Sequence, residues 1–467
     1  MGAGHFRTEC HNQNSVSQVL ILGGGISGLA TAYFLSKRGL SSTIVEAQGR
    51  LGGLIKTDVV DNCRLEAGPD SYIAAKPDVT KLAEEVPELR DQIIGTNDKA
   101  RRIFVVKNGK LVAMPRDMVM MVPADLRAAC ESALFTPQTK HRFCQERFFK
   151  PIVRRTDISI DEFVRDHFDQ EVVDYVAEPL LTGVYGGDVS RLSTRSVLPR
   201  FLNYEERYGS LMRAVRRKRR AEPDRGSMFL SFRGGMQALT DALVKASGET
   251  LTVHHVEALS VRRGVGRWAV ETSGGQFDSP SLVIALPAHR ATTIISQGLP
   301  ELADRLASIP HSSAITVTLV YPRESMGAEL DGFGFLVPKP ERRRVAAATW
   351  VSTKFPSRIT AAYVAIRAFI VDRDADVLIP QGDAEIGEEV RRDLARFMGF
   401  DIVPSFYSVH RWPRSMPQYT VGHADRYAQI KDLVEAERGL SLVGNAYEGV
   451  GIPDCVQLAR RTAEHIN

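Results

Sequence analysis

The chain is 467 residues long, room for two or three domains at roughly 100–200 residues each. Hydrophobic residues make up 43% and charged residues 25%, close to the composition of soluble globular proteins. The net charge of +4 is small for this length, which argues against a dedicated nucleic-acid binder and leaves room only for a local basic patch.

Met1–Ser17 is polar and mixed, lacks the apolar core of a secretory leader, and reads as a loose tail. Gln18–Gly25 (QVLILGGG) is a short apolar run ending in glycines, the pattern of a buried strand entering a turn. Ile26–Arg38 carries Ile26, Leu29, Ala30, Tyr33, Phe34 and Leu35 at helical spacing and stops at Gly39. Ser42–Glu46 (STIVE) is a second strand ending in a carboxylate, completing a βαβ unit. Asp117–Arg220 reads as mainly helical and closes on the basic run Arg213–Arg220, which suits either a solvated helix face or contact with anionic lipid head groups. Strand patterns return in LTVHHVEAL, WAVET and SLVIALP after Gly248, then at Ile315–Tyr321, Gly332–Val337 and Ala361–Ile370. Pro380–Phe400 is helical, Leu440–Gly444 is a strand, and Pro453–Ile466 is a closing helix with proline in its first turn. Strands of one dinucleotide fold thus recur at the start, middle and end of the chain, which predicts a discontinuous domain with others inserted into it.

No run of 18 apolar residues predicts a transmembrane helix. The five cysteines, Cys10, Cys63, Cys130, Cys144 and Cys455, match neither a zinc spacing nor a CxxC motif, and read as free thiols in a reducing compartment. No HExxH-type motif is present, so no metal is expected, and no Ser/His/Asp constellation stands out.

Chemistry concentrates at the two ends. Gly23, Gly25 and Gly28 fit GxGxxG between a strand and a helix, where bare backbone lets N–H groups approach a pyrophosphate and the helix N-terminus stabilises its charge. Glu46, at the end of the next strand, is placed to accept ribose hydroxyls. Arg50-Leu51-Gly52-Gly53 follows directly; paired glycines allow close passage of the chain, and the arginine suits a phosphate. The arrangement E-x-x-x-R-x-G-G resembles the second fingerprint of the FAD-binding amine-oxidase-like superfamily, which implies FAD rather than NAD. Near the end, Gly444–Val456 is a strand–glycine loop–helix whose N-terminus suits the pyrimidine ring of a flavin.

Over about Val19–His465 the sequence resembles the protoporphyrinogen oxidases and flavin-type coproporphyrinogen III oxidases. The resemblance is carried by GGGISGLATAYFL, RLGGLI, EAGPDSY, EPLLTGVYGGD, FRGGMQAL, RWPRSMPQYTVGH and GNAYEGVGIPDCV. It implies an α/β architecture with a discontinuous Rossmann-like FAD domain (16–92, 226–288 and 410–467), a mixed-sheet substrate domain (93–118, 204–225 and 289–409) and a helical membrane-associating domain (119–203). Implied cofactor contacts are Gly23, Gly25, Gly28, Glu46, Arg50, Gly53, Gly68 through Ser71, Val256, Trp412, Val450, Gly451 and Ile452. Implied substrate contacts are Arg102, with Arg101 as alternate because the register slips by one, together with Gly183, Leu319 and Phe333. Relatives often have asparagine where Asp70 stands, which leaves the role of that position open. The FAD is expected to be non-covalent, because the attachment cysteine of other relatives is missing from the 444–451 loop.

The implied reaction is the oxygen-dependent, six-electron oxidation of protoporphyrinogen IX to protoporphyrin IX, by hydride transfer to FAD with peroxide release. Oxidation of coproporphyrinogen III is the alternative, since the sequence does not separate the two. Another flavin oxidase, acting on an amine or a carotenoid, and a flavin-binding scaffold that does not turn over are the competing classes. The remaining expectations are molecular oxygen as acceptor, no nucleic-acid partner, a homodimer, and a cytoplasmic protein peripheral to a membrane at most.

Overall fold

The structure, a computed structural model, describes residues 18–221, 226–327 and 330–466. The expected loose tail Met1–Ser17, including Cys10, lies outside these residues, as does the side chain of Arg220 in the basic run.

A five-stranded parallel sheet runs in the order Leu251–His254, Ser42–Val45, Val19–Leu22, Ser281–Ile284, Leu440–Leu442. Its strands come from the start, middle and end of the sequence, as the recurring strand patterns predict. Val19–Leu22 and Ser42–Val45 are buried throughout, which explains their apolar runs without alternation. Helices Ile26–Ser36, Gln237–Ser247 and Ile452–His465 pack together beside the sheet.

A seven-stranded mixed sheet runs Phe406–Pro417, His311–Pro322, Tyr363–Val371, Ala347–Trp350, Gly334–Leu336, Ile103–Lys107, Lys110–Ala113. Only Gly334–Leu336 against Ile103–Lys107 is parallel. Phe406–Pro417 goes beyond the sequence reading, which found no strand there because Pro413, Arg414 and Pro417 break the pattern. As an edge strand it tolerates prolines, and the irregularity shows as a register shift between Ser312 and Ala314 and as φ +48° at Arg414.

Between these sheets in sequence lies a helical cluster with its own core, including Phe143, Phe163, Phe168, Val176 and Phe201. The expected helical stretch from Asp117 begins instead with the short pair Met118–Val119 and Val122–Pro123. Helix Leu211–Ala221 turns Leu211, Met212 and Val215 into this core and leaves Arg213, Arg216, Arg217, Lys218 and Arg219 exposed. Among the described residues no helix is long and apolar enough to cross a membrane.

Candidate flavin and substrate site

The strand Val19–Leu22 ends at Gly23, whose N–H donates to the Val45 carbonyl at 2.8 Å. Gly23 has φ +106°, and a Cβ there would lie 2.8 Å from the Ala285 carbonyl oxygen, so only glycine makes the turn. A Cβ on Gly28 would lie 2.0 Å from the Gly23 carbonyl oxygen: the helix packs hard onto the turn that feeds it. The helix Ile26–Ser36 has no side-chain cap at Gly25 and no acidic residue in its first turn. Its terminal N–H groups therefore lack the usual internal anion, which is the condition for binding an external one.

The second glycine pair is laced to the first. Gly52 N–H donates to the Gly24 carbonyl at 2.8 Å, and the Cα of Gly25 lies 3.0 Å from where a Gly53 Cβ would stand. Arg50 braces this loop rather than reaching outward: its guanidinium donates to the carbonyls of Leu51 (3.2 Å), Ile55 (3.2 Å) and Gly53 (2.5 Å). Glu46 accepts from Gly24 N–H at 2.7 Å and from Gln48 N–H at 2.8 Å, so its carboxylate stands at the mouth of the glycine turn. Its own N–H donates to the His254 carbonyl of the neighbouring strand, two residues before the half-buried Val256. At the other end, Val450 and Gly451 are half-buried and Ile452 buried at the start of the closing helix. Asp454 accepts from Gly451 N–H at 3.2 Å and pairs with Lys76 at 2.5 Å, so a carboxylate partly satisfies that N-terminus. Cys455 is buried behind it, and burial pushes its thiol up to about 11, which keeps it an unreactive thiol at neutral pH.

The turn Gly68 through Ser71 is held against the mixed sheet. The Ala67 carbonyl accepts from Trp412 Nε1 at 2.9 Å and Thr316 Oγ1 at 2.6 Å, and the Gly68 carbonyl accepts from Arg367. A Cβ on Gly68 would fall 1.8 Å from the Leu54 carbonyl oxygen. Ser71 donates to Asp70 at 2.6 Å, Lys354 pairs with Asp70 at 2.9 Å, and Arg367 lies 4.0 Å from it. Burial raises the Asp70 carboxyl, but Lys354, Arg367 and the hydrogen bonds outweigh it and hold it well below the usual carboxylate range. One strand away, buried Glu66 pairs with buried Arg358 at 3.0 Å and accepts from Met236 N–H at 2.8 Å. Sequence reasoning left Asp70 open and missed Lys354, Arg358 and Arg367. The available signal was a lone arginine inside the apolar strand YVAIRAFIV.

The substrate candidates separate. Gly183, on helix Glu178–Tyr185, is exposed, and a Cβ on it would meet nothing within 4 Å. Phe333 is 8% exposed and its N–H donates to the Arg102 carbonyl at 2.7 Å. The Arg102 side chain is exposed and held at 2.6 Å by Asp331. Leu319, expected as an apolar wall for the substrate, lies on strand His311–Pro322 of the mixed sheet. Strand alternation turns Thr316 toward Ala67, while Leu319 joins Ile315, Val317 and Tyr321 in the core that includes Ile386, Val390 and Leu394 of helix Asp383–Met398. It is fully buried there. His410 pairs with Asp58 at 2.8 Å, and His423 stacks on Tyr419 at 3.8 Å; both act as structural groups.

A profile of the flavin containing amine oxidoreductases matches residues 26–467. The chain belongs to that family. It is therefore a flavoenzyme, an oxidoreductase whose cofactor is FAD, and the glycine cradle described above fits that group. Among its relatives, the coproporphyrinogen III oxidase of Staphylococcus aureus is 30% identical, with 96% of this chain and 98% of that protein covered. The chloroplastic protoporphyrinogen oxidase of Nicotiana tabacum is 27% identical, covering 96% and 85%. A crystal structure from Exiguobacterium sp. 255-15, of a protein provisionally named a protoporphyrinogen oxidase, superposes with a TM-score of 0.86 at 29% identity, covering 96% and 98%.

Proposed function

We propose that this flavoenzyme oxidises a porphyrinogen to the corresponding porphyrin, with coproporphyrinogen III as the favoured substrate. The observation that carries this reading is sequence identity. The relatives named for coproporphyrinogen III are 29% to 30% identical to this chain, and the plant relatives named for protoporphyrinogen 25% to 27%. Protoporphyrinogen IX is the second reading, supported by the Exiguobacterium structure.

FAD, when bound, supplies the acceptor for the hydride leaving a meso CH₂ bridge. The work left to the chain is positioning, because the substrate gains aromaticity as it is oxidised and needs no strong base. The glycine turns and the uncapped helix at Gly25 bind the pyrophosphate, and Glu46 orients the ribose. The clamped turn at Gly68, tied to the mixed sheet through Trp412, Thr316 and Arg367, would hold the flavin ring. Gly183 leaves room for a flat macrocycle, Phe333 offers an aromatic contact, and Arg102 takes a propionate. The Arg102–Asp331 pair is exposed on both sides, and such pairs are worth only about 0–1 kcal/mol, so a substrate carboxylate displaces Asp331 at little cost. Molecular oxygen is the proposed acceptor, with hydrogen peroxide as product. A homodimer, and a cytoplasmic protein touching a membrane through its helical cluster, complete the proposal.

The test is aerobic turnover of purified holoenzyme, following porphyrin fluorescence with each porphyrinogen supplied separately. Fluorescence growth with peroxide release, above autoxidation, supports the reading, and the ratio of kcat/KM names the substrate. A flavin-loaded enzyme that accelerates neither would refute it.

A further inference from the structure

Two cysteines that the flavin chemistry does not use are brought together in the helical cluster. Cys130 lies in the last turn of helix Leu126–Glu131, and Cys144 lies on helix Pro137–Glu146. The two helices pack on each other, and Ala129 and Phe143, the neighbours of the two cysteines, are buried in one core. Cys130 is half-buried, Cys144 is exposed, and both are free thiols. The Cys144 thiol stands close enough to Cys130 to interact with it by charge and hydrogen bonding. Burial first, and then this neighbour, push the Cys130 thiol up.

Positive charge surrounds the pair. Lys140 and Arg147 stand one turn before and one turn after Cys144 on the same helix face, and Lys140 also favours the Cys130 thiolate. Arg127, one turn before Cys130, shares with Arg147, Arg213 and Arg216 the lining of a cavity of about 340 Å³. Glu131, the carboxylate next to Cys130, is engaged by Arg127 at 2.8 Å. An exposed thiol in electropositive surroundings reacts as thiolate, whereas buried thiols such as Cys63 and Cys455 are inert.

We propose that Cys130 and Cys144 are a reversible oxidation site, a dithiol that hydrogen peroxide converts to a disulfide. The Cys144 thiolate, open to solvent, attacks one peroxide oxygen; the S–O bond forms, the O–O bond breaks, and the departing hydroxide takes up a proton as water. Cys130 then attacks the sulfur of the resulting sulfenic acid; the S–S bond forms, the S–O bond breaks, and a second water leaves. The pair of thiols has lost two electrons and two protons, and one peroxide has become two waters. Cys130 ends its helix and Ser132 is already extended, so only a short last turn has to yield as the sulfurs close. Such a bond suits a reducing compartment as a transient, redox-sensing link that a thiol reductant reopens. Peroxide is also the product of the proposed turnover, but the dithiol chemistry does not depend on that reading.

The test keeps the two apart by supplying peroxide without porphyrinogen. Reduced holoenzyme, freed of reductant, is treated with a small excess of hydrogen peroxide, blocked with N-ethylmaleimide, and digested with trypsin without reduction. Cleavage after Arg127, Lys140, Arg142 and Arg147 puts Cys130 and Cys144 on separate peptides. Mass spectrometry should find these two peptides joined, about 2 Da lighter than their sum, and separated again by dithiothreitol. In C130S, which lacks the resolving thiol, dimedone should trap Cys144 as its sulfenic acid. In C144S, Cys130 should remain as available to N-ethylmaleimide as before peroxide. The unsubstituted enzyme keeping both thiols alkylatable, stopping at a sulfenic or sulfinic acid without the joined peptides, or linking either cysteine to a different one would overturn the proposal.

Discussion

Replacing Gly25 by alanine separates the space needed for folding from the space kept for the cofactor. Gly25 has φ −75°, a value any residue adopts, and its added Cβ would meet only the Gly53 Cα at 3.9 Å, an ordinary contact. The apoprotein should therefore unfold within about 0.5 kcal/mol of wild type, the range for a substitution that touches nothing special. The methyl group nevertheless projects from the N-cap of the uncapped helix, between the two glycine turns. There it costs at least one charge-assisted hydrogen bond from backbone to phosphate, about 1.5–3 kcal/mol, or roughly ten- to a hundredfold in FAD affinity. Gly28→Ala provides the contrast, because its Cβ falls 2.0 Å from the Gly23 carbonyl oxygen. The helix must shift, at about 1–3 kcal/mol or more, and the apoprotein itself should be destabilised. The assay is removal of flavin, urea unfolding of the apoproteins, and reconstitution with FAD followed by flavin fluorescence. Wild-type FAD affinity in G25A, or an apoprotein loss equal to that of G28A, would refute the reasoning.

Asp70→Asn leaves Lys354 and Arg367 without their carboxylate, and should cost about 3–5 kcal/mol in urea unfolding at pH 7. The folded carboxyl lies below its unfolded value, so its stabilisation is full above about pH 4 and fades as the pH falls below that; D70N should flatten this acid limb. His167 sits between buried Glu146 and Glu205, at 3.1 Å from each. Burial lowers its imidazole, yet the two carboxylates outweigh burial and raise it. That stabilisation is complete below about pH 6.5 and disappears as the pH climbs through the raised value, so wild type should lose stability on the alkaline side while H167Q shows no such slope. Arg102→Ala should leave the thermal midpoint nearly unchanged and lower kcat/KM for a porphyrinogen about ten- to a hundredfold, chiefly through KM.

The parallel sheet and its glycine turns were legible because each rests on local pattern. VLIL and STIV are apolar without alternation, and Gly23 and Gly28 occupy places where a Cβ would strike a backbone oxygen. Phe406–Pro417 was not legible, since two prolines and a residue at positive φ break every strand signal, and only the edge position of that strand makes it tolerable. The surroundings of Leu319 were not legible, because an apolar residue on a sheet strand looks alike from either face, and only register with Thr316 decides which way it turns. The charge set around Asp70 escaped for a different reason. Lys354, Arg358 and Arg367 are almost 300 residues away in sequence from the carboxylates they meet, and no spacing announces a pairing made by tertiary packing.

That same charge set constrains where porphyrinogen preference can be encoded. Three donors from three strands, Trp412, Thr316 and Arg367, hold the carbonyls of Ala67 and Gly68, and the neighbouring carboxylate is locked by Lys354. Each of these side chains is at least half-buried, so replacing any one leaves a polar group unsatisfied at about 1–3 kcal/mol and disturbs the turn they hold. Coproporphyrinogen and protoporphyrinogen share a ring and differ in two propionates against two vinyls. Under the proposed function the shared ring is assigned to the clamped face, and discrimination to elements that vary without unpairing it. Gly183 lies on an open helix surface, and Arg102 is tied only to exposed Asp331. Substitutions at those two positions should shift the ratio of kcat/KM between the two porphyrinogens with the flavin spectrum unchanged, whereas changes at Thr316 or Arg367 should alter the flavin and depress both activities together.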